Sequence, residues 1–470
     1  MNLLQLVMKQ MRQRSLSTAL TLLSVSLGVA LAVAILLARR DSAKLFGQTD
    51  YGFDVLVGAK GSPLQLVMNT VYHIDRSPGN IPYALYEQFL ESPTYRPAVR
   101  IAIPTAVGDS YRGQRIVGTI PQMFGFAEDG VERIPPERTL EYRPGRRYEL
   151  AQGRMFHGRK FEAVIGADIE RLTGLKIGDT FQATHGLPPP GQEPDIHGET
   201  WTVVGVLAPT RTAADRVLFI PLPSFYAMSG HDVALMAQAA IRAGADPRAA
   251  ATQPAVVDAP ASLRPGEVDF GAYTVTADGI IHLKLPKETW ALSAILVRTR
   301  SPFFAAQMMY VINNRNEAAA VNPASVMREF FGTFLDPSTK AWGAVAMLVN
   351  GVAIVAILVS IYNSVAGRIR EVAILRALGA TRRRILAVIC LEAGLIGLAG
   401  GALGLLAGHG LAAVASGYLQ RTIGEGLNWW RFDPAGGYYL LAVTLTCVLA
   451  GLIPALKAYR TPVAENLVAA

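Results

Sequence analysis

The sequence predicts an α-helical membrane protein with four transmembrane helices and a large mixed α/β extracytoplasmic domain inserted after the first of them. Three observations carry this. Of 470 residues, 51% are hydrophobic and 17% charged, where a soluble domain has about a quarter charged, and the apolar excess collects at the two ends of the chain. Between residues 41 and 340 no apolar stretch is long enough to cross a bilayer. Near the C-terminal end a short basic segment separates two long apolar runs, and such a segment stays in the cytoplasm by the positive-inside rule.

The chain opens at residues 1–15 with Leu3, Leu4, Val7, Met8 and Met11 on one helical face and Lys9, Arg12 and Arg14 toward the other, the pattern of a cytoplasmic helix lying on the inner leaflet. The first span is 16–38, whose 23 residues reach about 34 Å as a helix. A cleaved signal peptide has an apolar core of only ~7–15 residues, so an uncleaved anchor is favoured. Residues 41–340 read as mixed α/β, with strands at 53–57, 115–120, 163–165, 201–207, 217–220 and 294–298 and helices at 83–91, 167–172 and 303–313. A Pro-rich loop, 185–200, separates two of the strands, and the Ala/Pro-dominated stretch 239–265 reads as a mobile insertion. Further spans are expected at 342–365, 385–414 and 438–456, with Trp429, Trp430, Tyr438 and Tyr439 as an outer aromatic belt. Lys457 and Arg460 open a cytoplasmic tail, 457–470, so the topology is multi-pass with both termini cytoplasmic.

The segment 367–384 is the most informative. Arg368, Arg370, Arg376, Arg382, Arg383 and Arg384 stand there against a single acid, Glu371. Val372, Leu375 and Leu378, with Ile374 beside them, recur at helical spacing. Gly379 supplies a stop and Thr381 can cap the helix that follows. The product is a short amphipathic helix beneath the membrane, with one face left for a cytoplasmic partner.

The string EVAILRALGATRRRIL resembles the coupling segment of MacB/FtsX-type permeases, the membrane subunits of one class of ABC system. GRMF…EAVIGADIERLTGLKIGDTF…WTVVGVLAPT…DRVLFIPL is similar to the MacB-type periplasmic domain, and GLIPALKAYRTPVAENL to the family's ending. The resemblance implies a homodimer in the bacterial inner (plasma) membrane, coupled through 367–384 to a cytoplasmic ABC ATPase subunit that carries the ATP and magnesium. It implies mechanical transmission for export or translocation, with a periplasmic adaptor or binding protein as a further partner. The alternative within the family is an FtsX-like signalling permease that activates an envelope enzyme. GAKGSPLQLVMNTVYHIDRSPGNIP also resembles a segment of a MacB-like subgroup associated with zinc-limitation gene clusters, which leaves a zinc-linked transporter as a second alternative.

Other features carry less. The net charge of +8 sits largely beside the spans, where topology explains it, and no nucleic-acid-binding signature accompanies it. Gly400, Gly404 and Gly408 repeat every four residues and let helices approach closely, either within the chain or across a dimer. His409 beside them is an intramembrane ionisable group, or a side chain that reaches water. His185 and His197, with Glu193, Asp195 and Glu199, crowd the Pro-rich loop, and His73 and Asp75 form a smaller pair. Their spacing matches no established metal site, so a solvated polar loop is the reading preferred. The two cysteines, Cys390 and Cys447, fall in apolar runs, and no nucleophile–base pair stands out.

No GxxxxGK[ST] loop occurs, so the chain lacks the P-loop route to nucleotide phosphates and needs no cofactor of its own. Purified free of any ATPase, it is expected neither to bind nor to hydrolyse ATP; nucleotide turnover that tracks this polypeptide through gel filtration would refute the division of labour.

Overall fold

The computed structural model describes residues 3–13, 15–46, 51–186, 195–231, 267–315, 317–366, 381–422, 429–430 and 434–460. They divide into two compact units, a helical one from both ends of the chain and an α/β one from its middle, up to Phe330.

The α/β unit is built on a ten-stranded sheet. Its strands are β1 (Val55–Gly58), β2 (Val99–Tyr111), β3 (Gln114–Thr119), β4 (Leu150–Gly153), β5 (Glu162–Ile165), β6 (Thr180–His185), β7 (Ile196–Leu207), β8 (Leu218–Pro221), β9 (Ala294–Thr299) and β10 (Ala319–Val321). The order is β10-β1-β9-β2-β3-β8-β5-β7-β4, and β6 pairs with both β7 and β2. Those two pairings close β2, β3, β8, β5, β7 and β6 into a ring. Period-two burial fills it: from Trp201 onward β7 turns Trp201, Val203, Gly205 and Leu207 inward, and β6 contributes Phe181 and Ala183. Phe181 stacks on Trp201 at 5.9 Å between centroids, and the indole N–H donates to Ser224 Oγ at 3.0 Å, which satisfies the one polar atom of a fully buried ring. The helix Pro302–Asn313 buries Ala305, Met308 and Ile312 on one face, and Tyr83–Glu91 buries Leu85, Tyr86 and Phe89; both join the same core.

The expected strands are present with shifted ends: 201–207 extends back to Ile196, and 53–57 becomes Val55–Gly58. The stretch 185–200 is therefore not all loop, because His185 ends β6 and His197 lies inside β7. Two strands that the sequence reading passed over, β2 and β6, are the ones that close the ring. The stretch 239–265 lies outside the described residues.

The helical unit contains α1 (Leu3–Gln13), α2 (Ser15–Phe46), α3 (Asp336–Ala366), α4 (Arg382–Thr422) and α5 (Pro434–Arg460). Helix α4 packs on α2 and α5, and α3 packs on the same two. Two helices carry stretches long and apolar enough to cross a membrane, Ser15–Ala38 in α2 and Arg383–Leu419 in α4; the apolar stretches described in α3 and α5, Lys340–Val349 and Gly436–Leu452, are shorter. The carbonyl of Thr381 accepts from the Arg384 N–H at 3.0 Å and opens α4.

Gly400, Gly404 and Gly408 line the face of α4 that meets Val25, Val29 and Val33 of α2. A Cβ on Gly404 would lie 2.5 Å from Val29 Cβ and 2.7 Å from the Ser26 carbonyl oxygen, where neither rigid atom can yield. Gly404→Ala is expected to destabilise the helical unit by about 1–3 kcal/mol, read as an earlier denaturation midpoint in detergent. Gly410→Ala, which meets nothing within 4 Å, should leave the midpoint unchanged or slightly raised.

Candidate functional site

The described residues contain one histidine–carboxylate group close enough to act together: Asp109, His185, His197 and His231. Asp109 and His185 face each other across the antiparallel β2–β6 pair, so their side chains share a face. Two irregularities aim the side chains. Between Val107 and Ser110 β2 advances three residues while β3 advances two, from Val117 to Arg115, which bulges the strand at Gly108–Asp109. Between Ile196 and Thr200 β7 advances four residues against two on β6, and His197 sits in that distortion. Bulges at barrel rims re-aim side chains in this way.

His231 arrives from the turn after the helix Leu222–Tyr226. Gly230 takes φ +84 there, a conformation glycine adopts without strain, and the His231 N–H closes on the Met228 carbonyl at 3.1 Å. The Phe225 ring packs under His231 at 5.0 Å and against Gly118, where a Cβ would lie 2.8 Å from Phe225 Cβ. The missing side chain on β3 thus makes room for the ring that seats the histidine.

Asp109 is the centre. Its Oδ1 lies 3.3 Å from His197 Nε2 and 3.5 Å from His185 Nδ1, and its Oδ2 lies 3.3 Å from His231 Nε2. Its side chain is 0% exposed, against 7% for His197, 13% for His231 and 61% for His185. Nδ1 of His197 donates to the Ser229 carbonyl at 3.2 Å, and Nδ1 of His231 to the Phe225 carbonyl at 2.9 Å; a carbonyl only accepts, so both Nδ1 atoms carry hydrogen. Ser229 is held in turn by Glu199, which accepts from its hydroxyl at 2.7 Å and its N–H at 3.1 Å. Burial works against ionisation of Asp109, but the His197 and His231 rings outweigh it and hold the carboxyl below its usual range. Its hydrogen bond to Asp109 raises His197, against the opposing effect of burial. Three imidazole nitrogens and a carboxylate converging on one point can share protons or hold a cation.

His73 and Asp75 stand elsewhere. Burial and the nearby Arg115 push His73 down to about 3, and the Asp75 carbonyl accepts from Asn69 Nδ2 at 2.9 Å and from Arg115 at 2.5 Å. Both residues have positive φ, 53 and 68, in an irregular loop that those bonds hold. Sequence reasoning found His185 and His197 but missed Asp109 and His231. The only sequence signal for Asp109 was a carboxylate just beyond the largely apolar stretch 101–107.

Residues 18–255, just over half the chain, match the model of the MacB-like periplasmic core domain. Residues 343–463 match the FtsX-like permease C-terminal domain. The chain belongs to the MacB/FtsX-like permease family. No curated protein matches it. As a member of this family it is an ABC-transporter-type permease subunit of a membrane complex that includes an ABC ATPase partner.

In this MacB/FtsX-like chain Arg368, Arg370, Glu371, Leu375, Arg376, Leu378 and Gly379 lie outside the described residues, and Arg382, Arg383 and Arg384 form the first turn of α4. On the same helix His409 hydrogen-bonds through Nδ1 to the Leu405 carbonyl at 2.9 Å, and Glu392 is buried.

Proposed function

We propose that the chain is a four-span permease subunit of the bacterial inner membrane, with both termini in the cytoplasm. It works as a homodimer with two separate ATPase subunits, which bind ATP and magnesium. The observation that carries this is the placement of the basic amphipathic segment 367–384 between α3 and α4, inside the stretch matching the FtsX-like permease C-terminal domain. Closure of the ATPase subunits pushes on that segment, and the helices carry the motion to the periplasmic core domain, which moves substrate on the far side of the membrane. The α3 and α5 helices, 31 and 27 residues long, are each long enough to cross at 1.5 Å per residue. The size of the α/β unit supports the substrate-moving reading over a purely signalling one, and a periplasmic adaptor or binding protein completes the route.

A coupling helix docks by an apolar face in a groove of its partner. Leu375 and Leu378 are three apart and share that face, and removing such an anchor costs about 2 kcal/mol or more. Leu375→Asp or Leu378→Asp is expected to leave the protein inserted, with its α/β unit folded, and to lose the ATPase from the purified complex or uncouple its hydrolysis. Normal co-purification with normally stimulated hydrolysis would show that 367–384 is not the coupling element.

A further inference from the structure

We propose that Asp109, His185, His197 and His231 form a closed, four-ligand site for one Zn(II) ion in the α/β unit. The proposal stands on these side chains and is independent of how the permease is coupled to its ATPase.

The distances fit first. Zinc binds imidazole nitrogen and carboxylate oxygen at about 2.0–2.1 Å in a tetrahedron, which sets neighbouring ligand atoms about 3.3 Å apart. His197 and His185 nitrogens lie 3.3 and 3.5 Å from Asp109 Oδ1, and the His231 nitrogen lies 3.3 Å from Oδ2. One ligand atom from each of the four residues falls within 4.8 Å of the others, close enough for a small shift to gather them round one ion.

The hydrogen atoms fit next. Nδ1 of His197 and of His231 is committed to a backbone carbonyl, so in each neutral ring Nε2 presents its lone pair toward the carboxylate. Lone pairs that face a buried carboxylate repel it unless something positive lies between. Protons on both rings would remove that repulsion only by setting two imidazolium charges against one carboxylate, and Asp109 Oδ2, fully buried, has no hydrogen-bond partner of proper geometry. One cation at the centre satisfies the lone pairs and the orphaned oxygen together. A metal-bound histidine typically donates its other ring N–H to a carbonyl or carboxylate, as both of these do, and the Glu199–Ser229 contacts brace one of those carbonyls.

The chemistry of the donors narrows the ion to the borderline transition metals, and a closed four-coordinate site is the usual zinc arrangement. Nitrogen ligands disfavour magnesium and calcium, which take oxygen, and no thiolate is present to favour softer ions. Four protein ligands leave no open position, so the site holds an ion rather than activating water. The exposed His185 gives an entry path. Once bound, zinc ties the bulge of β2, the β6–β7 pair and the 227–231 turn to one point.

The test uses the full-length protein in detergent, stripped by a chelator and titrated with zinc against a chromophoric competitor, with Co(II) as a spectroscopic substitute. Expected are one zinc per chain and the intense visible bands of four-coordinate cobalt. Changing residues that only orient metal ligands costs 10–100-fold in affinity. Asp109→Asn and His197→Gln remove ligands, so each should weaken zinc by at least about 100-fold and abolish the bands, while the exposed His282→Gln leaves both unchanged. Circular dichroism and fluorescence verify each fold; should a buried variant fail, His185→Gln, at an exposed ligand, decides with a loss of at least about 10-fold. Absence of saturable binding, a six-coordinate cobalt spectrum, or equal binding by wild type and ligand variants, which marks an adventitious ion only, would each overturn the proposal.

Discussion

Strand β6 hydrogen-bonds along both edges, to β7 on one side and β2 on the other, and the α/β unit depends on that double pairing. A strand paired on one side only would leave a row of unsatisfied backbone donors and acceptors. Here the second pairing turns an open sheet into a ring and gives Trp201, Phe181 and Val203 an interior to fill. The same closure brings the end of β6 beside Asp109, a residue 76 positions earlier, and the bulges of β2 and β7 are set where the three strands meet. The histidine–carboxylate group is therefore a consequence of how the ring closes.

In the helical unit the corresponding constraint is steric. Three glycines at every fourth position of α4 meet three valines at every fourth position of α2. The matched i, i+4 spacing keeps the contact in register over two turns, and the β-branched valines fill the groove that the glycines leave. Association of apolar helices in lipid rests on such packing rather than on burial from water, so a single methyl group matters there more than a change of polarity on an exposed face. Gly397 and Gly401 on the other side of α4 do the same toward Cys447 and Leu440 of α5, which makes α4 the helix that joins α2 to α5.

The two units use different chemistry for different tasks. The helical unit supplies the long apolar helices of a family whose membrane complexes include an ABC ATPase partner. The α/β unit concentrates the titratable chemistry, with buried imidazoles braced by backbone carbonyls at the rim of a rigid ring. Three of its side chains stand on strands and the fourth on the 227–231 turn, and placement mostly on regular elements keeps ligand positions narrow.

Local pattern by itself determined the apolar ends, the interposed α/β region, the basic segment and most of the short strands, because hydrophobic length, charge bias and period-two alternation are properties of neighbouring residues. The helix at 83–91 could be read from such neighbours and appears with the same bounds. Strand β2 could not: Pro104 and Gly108 interrupt VRIAIPTAVGDSY, and Pro104 has its ladder partner in β9, while the register with β3 begins at Ala106. The stretch 185–200 looked like loop because prolines crowd its middle, whereas its two ends are held as strand by their pairing partners. His185 and His197 were visible as residues, but Asp109 and His231 joined them only through the tertiary structure, since a ligand set drawn from positions 109, 185, 197 and 231 has no sequence spacing to recognise. Distance in space, created by ring closure and two bulges, decided the site.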